Sequence, residues 1–97
     1  MTSRPIIRHV VFFSAKDKAD IPAIVEGLEL LSGIPHSSAF EVRQNNQSDA
    51  LSSEVDVIVY AEFGSSEALA AYKAHPLYGA SIKAVRPLRD MRFAADF

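Results

Sequence analysis

Ninety-seven residues, 48% of them apolar and 23% charged, suit one small folded domain and are too apolar for a disordered chain. Ten basic residues against twelve acidic ones leave a net charge of −2, without the basic excess that a nucleic-acid backbone demands. The lack of cysteine excludes disulfides, thiolate metal ligands and a cysteine nucleophile.

The chain therefore reads as one domain over residues 1–97 with no nucleic-acid partner. A domain this short buries only about 60–70% of the surface its unfolded chain exposes, so a partner subunit would help. Met1 to Pro5 leads into an apolar run that Arg8 and His9 interrupt. That pattern is neither a signal peptide nor a membrane span, and the expectation is a cytoplasmic protein with no membrane partner.

β-Branched and aromatic residues from Ile6 to Phe13 predict a first strand. Alternation puts Ile7, His9, Val11 and Phe13 on one face and Ile6, Arg8, Val10 and Phe12 on the other. Both faces are mostly apolar from Val10 onward, which predicts cover on both sides. Parity alone leaves open whether His9 faces a cavity or the helices.

A helix follows, with Asp20 as its N-cap and Pro22 in its first turn. Ile21, Ile24, Val25, Leu28 and Leu31 form its apolar stripe. Gly33 is expected to end it as a left-handed cap, with Ile34 folding back on Leu28 and Pro35 blocking resumption. The second strand spans Ser37 to Arg43, with Phe40 and Val42 placed on opposite faces. Polar residues from Gln44 to Ser53 predict an exposed loop.

The third strand covers Glu54 to Phe63, with Val55, Val57, Val59 and Ala61 on one face and Ile58 and Tyr60 on the other. Ser65 caps a second helix running from about Ser66 to Ala74, with Glu67 near its positive end. An irregular stretch from His75 reaches Pro87. A fourth strand from Leu88 to Phe97 carries Met91, Phe93 and Phe97.

The order β-α-β-β-α-β predicts an α+β, ferredoxin-like fold, a four-stranded antiparallel sheet with two helices on one face. The opposite face is still apolar and needs cover. The same face of a second copy would supply it, closing two sheets into an α/β barrel across a two-fold axis.

Chemistry concentrates at Tyr72-Lys73-Ala74-His75-Pro76-Leu77-Tyr78-Gly79-Ala80. Proline disfavours the α conformation in the residue before it, so His75 falls at a helix end, where the negative pole of the helix favours a cation. Tyr72 lies one turn earlier on the same face, and Tyr78 follows three residues later. Phenol and imidazole at one locus can exchange a proton with a carbonyl or enol; they can equally be a helix end packed on a core. His9, Tyr72 and His75 are the candidate catalytic residues, and His9, Val11, Phe13, Tyr72 and Tyr78 the candidate cavity lining.

Other polar groups take plainer readings. His36, beside Pro35, reads as exposed. Asp49, Glu54 and Asp56 lack metal-loop spacing and read as a solvated acidic edge. Arg86, Arg89, Asp90 and Arg92 mix signs and read as an edge or dimer contact rather than an anion site. Gly27 and Gly33 are too far apart for a phosphate loop.

Taken in order, Ile7-Arg8-His9-Val10-Val11-Phe12-Phe13, Ala61-Glu62-Phe63-Gly64-Ser65-Ser66-Glu67-Ala68-Leu69, Tyr72-Lys73-Ala74-His75-Pro76, Val85-Arg86-Pro87-Leu88 and Asp96-Phe97 resemble the stress-responsive dimeric α/β-barrel (Dabb) family. The resemblance spans nearly the whole chain, and its most specific piece is the tyrosine-x-x-histidine-proline element. It implies a homodimer, a central cavity lined by strand residues, and no obligatory cofactor. It further implies that His9 lines the cavity. In the family's plant polyketide cyclases, the tyrosine matching Tyr72 acts on substrate together with a histidine three residues beyond the histidine-proline step, where this chain has Tyr78.

Two functional readings follow. One is a stress-responsive barrel that holds a small apolar or aromatic molecule without turning it over. The other is a cofactor-free enzyme acting on an enolisable carbonyl or phenolic compound, polyketide-cyclase-like or, on fold analogy, a monooxygenase.

Overall fold

In the computed structural model, which describes residues 7–97, the chain runs β1 (Ile7–Ala15), α1 (Ile21–Glu29), β2 (Ala39–Gln44), β3 (Val57–Phe63), α2 (Ser66–Ala74), α3 (Pro76–Val85) and β4 (Arg89–Asp96). The strands form one antiparallel sheet in the order β2-β3-β1-β4, the ferredoxin-like topology expected from the sequence. Ile6 and the Met1–Pro5 segment lie outside the described residues. No helix among the described residues is long and apolar enough to cross a membrane.

The core lies between the helices and one face of the sheet. His9, Val11 and Phe13 of β1 are buried there, beside Val57, Val59, Ala61 and Phe63 of β3. Ile24 and Leu28 of α1, Leu31, Ile34, Tyr72 and Val85 close over them. This period-two burial, unbroken along β3 and interrupted on β1 at Ser14, is what a half-covered sheet requires. Phe40 and Val42 both pack against this core, opposite Ala61 and Val59. The expectation of opposite faces fails because residues two apart on a strand share a face.

The first helix begins differently from the sequence reading. Asp20 is helical and makes no side-chain cap; Asp17 accepts the Ala19 N–H at 3.0 Å and starts a 3₁₀ turn, Lys18–Asp20, that runs into α1. Gly33 is not left-handed either, since no described glycine has positive φ. The helix tightens into a 3₁₀ turn over Leu30–Gly33, and Ile34 leaves it extended and buried. Gly33 serves close approach instead: a Cβ there would sit 2.8 Å from Cδ1 of Leu77 on α3. Gly27 does the same, its missing Cβ falling 2.9 Å from Cγ2 of Val85, while its carbonyl accepts the Ser81 hydroxyl at 2.9 Å.

The stretch after His75 is a helix, not an irregular segment. His75 is extended (φ −68°, ψ 142°), ends α2 and caps α3, its Nδ1 accepting the Leu77 N–H at 3.1 Å. Pro76 occupies the first helical position, where a missing N–H leaves nothing unsatisfied. A proline that stops one helix here starts the next. His75 therefore lies at the positive end of α3 as well as the negative end of α2, and the expected preference for a cation does not carry over.

Ser65 caps α2 as expected, accepting the Ala68 N–H at 3.1 Å. The predicted loop contains a 3₁₀ turn at Ala50–Ser52, started by Asp49. Asp56 is not part of a solvated edge: it is 3% exposed, and its carboxylate accepts the Ala15 N–H at 2.9 Å and the Lys18 ammonium at 2.7 Å. It fastens the end of β1 to the start of β3.

Two features position the site. The far face of the sheet carries Val10, Phe12, Ile58, Tyr60 and Phe93, cross-strand neighbours that no helix covers, with Phe93 65% exposed. On β4 the register slips. Phe13 faces Arg92 but Ala15 faces Arg89, so two steps on β1 match three on β4, a β-bulge. The Ser14 hydroxyl accepts the Met91 N–H at 2.9 Å within it, satisfying a donor that regular pairing would have used.

Candidate ligand cavity

A cavity of about 310 Å³ lies inside the chain, between the helix side of the sheet and the helices. His9, Val11, Phe13 and Val59 form its strand wall, and Leu28 and Leu31 close it from α1 and the turn that follows. Tyr72 enters from α2, and Tyr78, Ser81, Ile82 and Val85 from α3. Arg86, Arg89 and Arg92 complete the lining on the solvent side, from the end of α3 and from β4.

The polar end is built around His9, which is 2% exposed. Its Nδ1 lies 2.5 Å from Oδ1 of Asp96 on the neighbouring strand, which brings residues far apart in sequence onto one face. An ionised carboxylate only accepts, so Nδ1–H donates. Nε2 has no hydrogen-bond partner among the described residues. Tyr72 stands edge-on to His9, ring centroids 6.2 Å apart, and edge-on to Phe63 and Tyr78 at 4.9 and 5.4 Å.

Tyr72 is 1% exposed, yet its hydroxyl has no hydrogen-bond partner among the described residues although the ring lines the cavity. The oxygen is not sealed in the core, since no buried side-chain nitrogen or oxygen among the described residues lacks a partner; it opens onto the cavity that the ring lines. Burial holds this phenol well above its usual pKa, with Tyr78 adding to the rise and Arg92 opposing it. At neutral pH it is an O–H donor. The arrangement offers a volume walled largely by apolar side chains, the Tyr72 hydroxyl as a donor beside an imidazole whose orientation a carboxylate fixes, and three guanidinium groups toward solvent.

His9, Val11, Phe13, Tyr72 and Tyr78, the five residues expected at a cavity, all line this one. The parity question for His9 resolves toward the helices, and the cavity lies on that same side, within one chain. His75 does not line it. Its Nδ1 is engaged as a helix cap, and its ring stands against His36, centroids 6.1 Å apart.

Nothing in the sequence gives a site role to Asp96 or Ser81, and Arg86, Arg89 and Arg92, expected at an edge or dimer contact rather than an anion site, line the cavity. Arg86, Arg89 and Arg92 recur every third residue, which is the signal they left. On a regular strand Arg89 and Arg92 would face opposite sides, so the bulge is what brings both to the cavity. No group of three or more histidine, aspartate or glutamate residues able to hold a metal occurs among the described residues.

Comparison with curated proteins finds no relative. Solved structures of the same fold are numerous. A dimeric ferredoxin-like protein of unknown function from Thermobifida fusca superposes with a TM-score of 0.79 at 22% identity, covering 94% of this chain and 88% of its own. A Dabb family protein from Mesorhizobium loti gives 0.78 at 21% identity, with 97% and 96% covered. A protein from Arabidopsis thaliana gives 0.76 at 25% identity, with 94% and 92% covered. The sequence itself matches the stress responsive A/B barrel domain over residues 7–97, and the chain belongs to that family, Dabb.

Proposed function

We propose that this protein is a homodimer in which each chain holds a small apolar or aromatic molecule in the cavity beside His9 and Tyr72. The observation that carries the reading is the Tyr72 hydroxyl, in a residue 1% exposed and without a hydrogen-bond partner among the described residues, on the wall of a cavity whose inner end is mostly apolar. A ligand oxygen would satisfy it. The dimer is supported by the uncovered apolar sheet face and by structural neighbours described as dimeric. Titration of ¹⁵N-labelled protein with 4-butylbenzamide tests the site: shifts confined to amides around Val11, Val59 and Tyr72 support it. Shifts only on the sheet face carrying Phe93, or none, overturn it.

The His9–Asp96 pair favours a second reading, cofactor-free proton transfer on an enolisable carbonyl compound. His9 Nε2 would take the α-proton while the electron pair moves to the carbonyl oxygen, where Tyr72 O–H donates to the enolate. Deuterium exchange into 1-phenylbutane-1,3-dione in D₂O, faster with the protein than without it and abolished in His9→Gln, is the expected result. Exchange at the same rate with and without protein removes this reading.

A further inference from the structure

Three arginines line one cavity in a chain whose net charge is negative. None of Arg86, Arg89 and Arg92 forms an ion pair or a side-chain hydrogen bond among the described residues. Asp90, inside the bulge, pairs with neither neighbour, and Asp96 is turned to His9. The lining holds no aspartate or glutamate at all. Arg86 and Arg92 are exposed and Arg89 partly so, which leaves their guanidinium groups free to meet a bound anion at the mouth of the cavity.

The backbone is arranged for the gathering. Arg92 shares a face with Phe13, and the bulge puts Arg89 beside Ala15 on that same face. The Ser14 hydroxyl, in a residue 7% exposed, holds the bulge. Bulges commonly re-aim a side chain beside a site. The unpartnered Tyr72 hydroxyl, on the same cavity, is an independent donor pointing to a ligand oxygen.

We infer that the ligand is an amphipathic carboxylic acid: an apolar or aromatic body inside the cavity, with its carboxylate at Arg89 and Arg92 and a second oxygen substituent within reach of Tyr72. Arginine suits this task because its planar fork matches a carboxylate with two parallel hydrogen bonds and is more weakly hydrated than lysine. Arg86 adds charge from the end of α3. The inference rests on the cavity reading above and specifies its ligand class.

The test compares 4-butylbenzoate with its neutral amide, 4-butylbenzamide, by titration calorimetry on the full chain at low and high salt. The acid is expected to bind about ten-fold or more tightly at low salt, the advantage of a charge-assisted contact. That advantage should shrink with salt. In Arg89→Gln/Arg92→Gln the ratio of acid to amide affinity should fall below about two-fold; Arg89→Gln and Arg92→Gln singly, each checked for an unaltered thermal midpoint, guard against a misfolded double variant. Equal binding of acid and amide to the native chain overturns the inference and leaves the cavity reading standing. A preference that survives both substitutions also overturns it, and binding of neither compound removes the cavity reading as well.

Discussion

His9 on β1 and Asp96 on β4 form a hydrogen-bonded pair, Nδ1 to Oδ1 at 2.5 Å, with the histidine buried and the carboxylate partly in solvent. The carboxylate fixes which ring nitrogen carries the proton and which is left for the cavity. Long-range ¹H–¹⁵N spectra should show the His9 proton on Nδ1. In Asp96→Asn the signals should become those of mixed tautomers, with the sheet intact. A pure Nδ1–H form in that variant would mean that Asp96 does not orient the ring.

Tyr72 gives the fold an alkaline weakness. Its phenol is raised above the value it has when unfolded, about 10. Below about pH 10 both states hold the proton and stability is unaffected. Above it the unfolded chain releases the proton first, so stability falls as pH climbs toward the folded value, by at most about 1.4 kcal/mol per pH unit. Urea titrations from pH 9 to 11 should show a shallower loss in Tyr72→Phe than in the native chain, and parallel losses would refute the burial argument.

Gly27 of α1 packs directly against α3. Adding a methyl group places it 2.9 Å from Val85 Cγ2 and 3.2 Å from Ala84 Cβ, so the neighbouring side chains or the helix carrying them must shift. Gly27→Ala should therefore cost about 1–3 kcal/mol despite the gain in helix propensity. Denaturant midpoints measure it; a stabilised variant would show that the helices yield freely.

The two sheet faces make opposite predictions for aspartate. Phe13 is buried beneath the helices, and Phe13→Asp should leave no folded protein. Phe93 is 65% exposed in the single chain, so Phe93→Asp should fold and run as a monomer in light scattering, while the native chain is expected to run as the proposed dimer. A dimer in Phe93→Asp would place the interface elsewhere.

Ser14 is a positioning residue. Ser14→Ala removes the acceptor for the Met91 N–H and should cost about 1 kcal/mol. Hydrogen exchange at Met91 should rise, and affinity for 4-butylbenzoate should fall more than for 4-butylbenzamide as Arg89 loses its aim. Equal losses for both would make the role merely structural.

Much of this was legible in the residues. Period-two and helical spacing locate all four strands and the first two helices, and the tyrosine-x-x-histidine-proline element leads to Tyr72. Local signals failed where one residue serves two masters. Pro76 reads as a stop, and only the structure shows His75 capping the helix that follows. Gly33 reads as a left-handed cap because glycine so often is one, whereas here it makes room for Leu77. The His9–Asp96 pair depends on the register of strands at opposite ends of the sequence, which no local pattern specifies.

The bulge at Ser14 also bears on how relatives of this chain should be compared. A superposition by structure keeps Arg89 and Arg92 on one wall; an alignment by columns, which has no notion of a slipped register, does not. Regular pairing in place of the bulge, with β4 unchanged in length, would turn Arg89 outward while leaving every identity in place. Two homologues could then share all three arginines and differ in the charge their cavities present, so selectivity in such barrels can change through the register of a strand rather than its letters.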